Sequence, residues 1–299
     1  MPIAGTWAEH IRMQLTHVLF PFDYSDRCRR TAPFVNGLIE KAGAHLTILN
    51  VIEDPVARYP AGAAFRLPKS VQDEILASST KFLREYTNET FPSFDVDAVC
   101  RMGDPAKEII RTANEIHAGL IIMPTRGCGP FRALLLGSVT AKVLDDAKCP
   151  VWTDAHMDQC DRPACAQIRS ILCALDEEED RVWVLRKASD VANLYSAALH
   201  LVRVVPEVRV SSDALTAGWE NASKETARLE MSELREEAGA SADICVEAGS
   251  VSAAVRRAAL AHNADLVIIG RGRLDGFLGR LRTNAYAIIR DSPCPVLSI

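Results

Sequence analysis

From about residue 16 to the C-terminus, short apolar runs alternate with longer stretches whose apolar residues recur at helical spacing. Residues 16–22, Thr-His-Val-Leu-Phe-Pro-Phe, predict a buried strand ending at Asp23-Tyr24-Ser25. Residues 26–42 predict a helix with Phe34, Leu38 and Ala42 on its apolar side, stopped by Gly43. Residues 45–52 form a second strand. A segment over 55–68 follows, long for a plain connection, and reads as a mobile cover over a site. An amphipathic helix over 70–90 carries Val71, Ile75, Phe82 and Leu83, and residues 94–101 form a third strand. Asp104 caps the next helix and Pro105 opens it, ahead of the stripe Ile109, Ile110, Ala113 and Ile116. Residues 119–123 form a fourth strand, a helix ends near Ala147, and residues 149–152 form a fifth strand.

Strands that alternate with helices in this way predict a parallel, doubly wound α/β sheet. Its ligands sit beyond the carboxyl ends of the strands, where the strand order reverses. After a polar linker, Asp154 to Gln167, the pattern repeats. A strand over 168–175 ends in Asp176, the counterpart of Asp23. A helix over 181–192, a strand over 196–205, an irregular segment over 206–218, a helix over 219–239 and a strand over 242–247 follow. Leu266 to Gly270 matches Leu120 to Pro124, and Cys294-Pro295-Val296 matches Cys149-Pro150-Val151. The duplication sets the domains at 15–153 and 168–299.

The stretch most suited to chemistry is Met123-Pro-Thr-Arg-Gly-Cys-Gly-Pro-Phe-Arg-Ala-Leu-Leu-Leu-Gly-Ser-Val-Thr140. A buried strand opens through glycines onto a helix that starts at Gly137-Ser138. The N–H groups of a helix start are unpaired, and with the positive end of the helix dipole they suit a phosphate.

The bulk numbers set limits. The chain has 299 residues, 48% hydrophobic and 24% charged, the composition of an ordinary two-domain globular protein. A net charge of −5 gives no electrostatic reason to expect nucleic-acid or anionic-membrane binding. No apolar run is long enough to span a bilayer, and residues 1–14 lack the apolar centre of a signal peptide, so a cytoplasmic protein is expected. Nine cysteines over a long chain are not a disulfide framework. His156, Cys160 and Cys165 in the linker, with Cys149 and Cys173 near it, fit no standard zinc spacing.

Gly127, nine residues, then Gly137-Ser138 resembles the later part of the universal stress protein nucleotide motif, Gly-x2-Gly-x9-Gly-Ser/Thr. The first glycine of that motif falls at Pro124, which has no N–H to offer. Phe20-Pro21-Phe22-Asp23-Tyr24-Ser25, Leu49-Asn50-Val51-Ile52, Gly103-Asp104-Pro105 and Leu136 to Thr140 complete the likeness at family spacing. The resemblance implies two tandem five-stranded domains of the adenine nucleotide α-hydrolase-like kind, packed about a pseudo-twofold axis. Their last strands, at Val151-Trp152 and Val296-Leu297, lie side by side. It further implies ATP, with Mg2+ for which no protein ligand is named. Pro21 and Asp23 contact the adenosine part, the Val51 main chain holds adenine, and Met123 lies near the ribose. Gly127, Gly137, Ser138, Val139 and Thr140 bind phosphates. Three of these have plain structural alternatives: Asp23 as a helix cap, and Ser138 and Thr140 as helix-start residues.

The second half departs from the pattern. Arg273 takes the second glycine position, Thr283-Asn284 replaces Gly-Ser, and an acidic run, Glu177 to Asp180, follows Asp176. Like charge near the pocket disfavours a triphosphate. Arg271, Arg273, Arg280 and Arg282 either hold an anion there or form a solvated turn. The expectation is a first domain that binds ATP or a related adenine nucleotide, and a second domain that has lost the site and serves as its partner. The chain would then be a stress-linked sensor or interaction module. The alternative is a scaffold that binds no nucleotide and works through dimerisation or protein contacts. Motifs of P-loop, dinucleotide-binding and α/β-hydrolase enzymes are missing, and no nucleophile and base are placed together, so any ATP hydrolysis should be slow.

Overall fold

The computed structural model describes residues 15–53, 67–124, 136–154, 168–176, 180–207, 213–271 and 283–299. The first half contains β1 (His17–Pro21), α1 (Asp26–Ala42), β2 (His45–Glu53), α2 (Lys69–Thr90), β3 (Val96–Gly103), α3 (Pro105–Glu115), β4 (Leu120–Pro124), α4 (Ser138–Asp146) and β5 (Val151–Asp154). The second contains β6 (Ser170–Ala174), α5 (Arg181–Tyr195), β7 (Ala198–Val205), α6 (Asp213–Ala238), β8 (Asp243–Ala248), α7 (Val251–Ala261), β9 (Leu266–Ile269), α8 (Thr283–Asp291) and β10 (Val296–Ser298). The expected cover over 55–68 lies largely outside the described residues.

The helix ends follow local chemistry. The Ser25 side chain accepts the Cys28 N–H and starts α1, which stops at Gly43 with φ 64°. That left-handed turn is one that glycine enters without a Cβ penalty. Asp104 caps α3 by accepting the Lys107 N–H, with Pro105 in the first turn. One helix differs from expectation. Residues 206–218 read as an irregular segment before a helix at Trp219, yet α6 begins at Asp213 and runs through Gly218. A single glycine costs a helix about 1 kcal/mol, which the packing of a long helix exceeds.

The two five-stranded sheets join into one ten-stranded sheet in the order β3-β2-β1-β4-β5-β10-β9-β6-β7-β8. Every neighbour pair is parallel except β5 and β10, where Leu297 faces Trp152 and Ser298 faces Val151 in antiparallel register. The Thr153 hydroxyl also donates to the Val296 carbonyl at 3.2 Å. The last strands therefore meet as the resemblance implied.

Side chains alternate across a strand, and here the alternation builds two cores. Val18 and Phe20 face one way, toward Val35 and Ile39 of α1 and, in the other half, Leu185 of α5 and Met231 of α6. Leu19 faces the other way, into a core shared by Ile109 of α3, Leu144 of α4, Val255 of α7 and Ile289 of α8. Both cores run through both halves, with Trp152 and Leu297 in the first core and Val151 and Val296 in the second.

On the second face, α4 and α8 are tied across the junction. The Arg271 guanidinium donates to the carbonyls of Leu144 at 3.3 Å and Ala147 at 3.0 Å, and also to that of Cys149. The Tyr286 hydroxyl donates to the Ala141 carbonyl at 3.4 Å. Arg271 is thus neither an anion ligand nor part of a solvated turn. It satisfies carbonyls at the C-terminal end of α4 that the helix cannot pair internally. Arg271→Ala should cost about 2–4 kcal/mol, since charge-assisted bonds are lost and half-buried carbonyls stay unpaired. Arg271→Lys should recover only part of it, because an ammonium lacks the planar fork. Urea denaturation of the two variants checks both.

Candidate functional site

In the first half the strand order reverses between β1, which pairs with β2 on one side, and β4 on the other. The crevice beyond the carboxyl ends of these strands is where such sheets place ligands. β1 ends at Pro21, in register with Leu49, and the Phe22 N–H donates to the Leu49 carbonyl at 2.8 Å. β2 continues four residues further, to Glu53. In a strand, main-chain groups two residues apart point the same way. The Val51 amide and carbonyl therefore face the β1 side, past the point where β1 has ended, and so toward the crevice.

Asn50 fixes this corner. Its side-chain amide, buried, donates to the Phe22 carbonyl at 2.8 Å. The matched run Leu49-Asn50-Val51-Ile52 assigns Asn50 no role by itself; its signal in the sequence is one amide inside the apolar run 45–52. Asp23 follows directly. Its carboxylate accepts the Ser25 N–H at 3.0 Å, while Ser25 itself caps α1. Enclosure tends to raise the Asp23 pKa, but hydrogen bonds from Ser25 and Cys28 outweigh it and hold the carboxyl below its ordinary 3.8. Asp23 thus supports the helix start without being its cap. Burial, with Asp23 nearby, pushes the Cys28 thiol up to about 12, so it stays protonated.

Across the crevice, Met123 is buried near the end of β4. Pro124 is the last residue of β4 and lies opposite Asp154 of β5. Gly127 falls outside the described residues. Gly137 is the N-cap of α4, with φ −62° and ψ 142° and no side-chain cap bond. That conformation is open to any residue, so backbone strain does not explain the glycine. Ser138 is exposed, Val139 half-buried and Thr140 buried in the first turn, which holds no acidic residue. Lys142 of α4 lies 3.6 Å from the Asp104 carboxylate, tying α4 to the start of α3. The structure thus brings Pro21, Asp23, Val51 and Met123 to one strand edge, with the uncapped start of α4 following β4.

The second half has the equivalent cleft between β6 and β9. It is lined by Asp176, Arg203, Val251, Gly270, Asn284 and Ile288 among others. The register gives Arg203 the place of Asn50 and Asp176 that of Asp23. Arg203 is buried, with Nη1 4.0 Å from Asp176 Oδ1. Where the first half has a neutral amide and a carboxylate held by its own turn, the second has an ion pair. Arg273, Arg280, Arg282 and Glu177 to Glu179 lie outside the described residues.

The linker group is partly divided. Cys173 is buried in the core on one face of the sheet and Cys149 packs against the core on the other, so the sheet separates them. His156, Cys160 and Cys165 lie outside the described residues.

Comparison with known proteins gives a consistent answer. A universal stress protein of Thermus aquaticus is 31% identical over 137 residues, covering 45% of this chain and 94% of that protein. The crystal structure of a universal stress protein from Archaeoglobus fulgidus DSM 4304 superposes with a TM-score of 0.69 at 21% identity, covering 95% of this chain and 98% of that one. A further solved relative, 22% identical over 46% of this chain and 95% of its own, is a universal stress protein in complex with cAMP, with a TM-score of 0.34. The sequence model of the universal stress protein family matches residues 14–153 and again 167–299. Because that model spans nearly the whole chain, once in each half, the chain belongs to the universal stress protein family, with two of its domains in tandem.

Proposed function

We propose that the first domain binds an adenine nucleotide, ATP or a close relative, in the crevice between β1 and β4. The protein then acts in the cytoplasm as a stress-linked sensor or interaction module whose second domain is a structural partner. The observation that carries this is the Val51 main chain facing past the end of β1, beside Asp23 and on the same strand edge as Met123. A strand edge of this kind offers a donor and an acceptor to a planar base. The start of α4 supplies N–H groups and a positive dipole end for phosphate, with no carboxylate in its first turn to oppose one. Gly137, Ser138, Val139 and Thr140 are the phosphate residues in this reading, with Gly127 from the preceding loop. Mg2+ accompanies the nucleotide through its phosphates. Among the described residues no helix is long and apolar enough to cross a membrane.

The ion pair of Arg203 with Asp176 supports placing the nucleotide in the first domain, since it occupies the carboxylate that corresponds to Asp23. A second reading has one observation in its favour. Pro124 removes an N–H at the first glycine of the motif and sits inside the β4–β5 ladder. On that reading the chain is a scaffold that acts through protein contacts. Because β5 and β10 cover each other's edges, a homodimer would have to use a different surface.

Mass spectrometry of nucleotide released on gentle denaturation, together with calorimetric titration of ATP, separates the readings. Gly137→Val fits the backbone found there, so its melting temperature should stay near wild type. Its ATP affinity should fall at least tenfold, about 1.4 kcal/mol, as the side chain fills the phosphate's approach. An intact protein that takes up no adenine nucleotide at millimolar ATP leaves only the scaffold reading.

Asp23→Ala tests the other end. The folded-state pKa lies below the ordinary 3.8, so the carboxylate's stabilisation is complete above pH 3.8 and is lost as pH falls through the lowered value. The variant should be less stable than wild type at pH 7, with the gap closing in acid. It should also bind ATP more weakly at pH 7.

A further inference from the structure

The opposite edge of the sheet carries a second group of functional side chains. β1 and β2 begin with His17 and His45, which face each other in register, and Asp97 of β3 faces Thr47. Residues opposite each other share a face, as do residues two apart on one strand. His17, His45 and Asp97 therefore emerge together at the amino-terminal corner of the three strands. One ligand atom from each lies within 4.8 Å of those of the other two. His45 Nε2 is 2.9 Å from Asp97 Oδ2, and His17 Nε2 is 2.7 Å from the Thr47 hydroxyl. The two rings meet edge to face at 4.8 Å and 81°.

We propose that His17, His45 and Asp97 form a binding site for a divalent late transition-metal ion such as Zn2+. Two imidazoles and one carboxylate are a ligand set that such ions accept, with water completing the shell. The Cα positions are fixed by two parallel ladders, so closure on an ion needs only side-chain rotation. His17 is already oriented from outside the triad, by the Thr47 hydroxyl. Metal-bound imidazoles characteristically have such supporting contacts. The His45 and Asp97 side chains are 40% and 61% exposed, so an ion and its water can enter. A plain surface ion pair would account for His45 and Asp97 but not for the third, anchored ring.

The second half gives a contrast. His200 takes the register of Thr47 and Asp243 that of Asp97. His200 stacks on His262 at 4.2 Å and 25°, with Nδ1 3.4 Å from Asp243 Oδ2. Nearly parallel rings direct their nitrogens along separate planes, not at one point. Only the first-half triad meets the distance requirement among the described residues. The signal in the sequence was the placement of a histidine at the start of each of the first two strands, which acquires meaning only once they pair in register.

The test uses the full chain, stripped of metal and kept reduced, titrated calorimetrically with Zn2+. One ion should bind per wild-type chain and raise its melting temperature. His17→Ala and His45→Ala should each weaken binding at least tenfold, and His262→Ala should leave it unchanged. Because the nine cysteines are competing ligands, Co2+ serves as a spectroscopic probe, and its bands should lack thiolate charge-transfer absorption. Circular dichroism checks the fold of each variant. Asp97→Asn, an exposed and conservative change, should also weaken binding and serves if a histidine variant misfolds. Absence of binding at micromolar Zn2+, thiolate absorption with Co2+, or an Asp97→Asn affinity equal to wild type would each overturn the proposal. The outcome does not depend on whether the first domain binds nucleotide.

Discussion

The antiparallel pairing of β5 with β10 is the contact on which the rest of the architecture depends. A five-stranded half on its own would end in a short edge strand with unpaired main-chain groups and an apolar flank, which is a liability in water. Pairing the two edges satisfies those groups, buries Trp152 and Leu297 on one face, and merges the cores of both halves. Arg271 adds a polar clamp on the other face by pairing carbonyls at the end of α4. Each half thus completes the other, so a change at the junction should be felt in both domains.

The same pairing fixes where the functional corners lie. Strands within each half are parallel, while β10 runs antiparallel to β5. The two halves therefore point opposite ways, and their switch-point crevices open on opposite edges of one sheet. The histidine corner of the first half opens on the same edge as the cleft of the second. A duplicated unit joined in this way need not keep the same chemistry twice. With Arg203 at the position equivalent to Asn50, the second crevice is an ion-paired cleft on the same backbone frame.

The local elements were legible because each is specified by nearby residues. Helical spacing in 26–42, Gly43 at its end, and Asp104-Pro105 at the start of α3 act over one or two turns of chain. The failures have local causes that distant packing overrode. Gly218 is a weak break that α6 passes through. The fourth strand, expected over 119–123, runs on to Pro124, because the β5 side of that rung does not need its missing N–H. Arg271, grouped by sequence with other arginines, found its partners more than a hundred residues away in α4 and its C-terminal turn.

Taken alone, then, the sequence determined the duplication, the α/β class and the order of elements. These depend on periodicity and capping, whose range is a few residues. Tertiary structure decided the register, and with it everything that needs two strands at once. Val51 faces a crevice because β1 stops first, Arg203 meets Asp176, and His17, His45 and Asp97 share a corner. Register is set by the burial of whole faces and not by neighbours in the chain, so no single stretch of residues carries it.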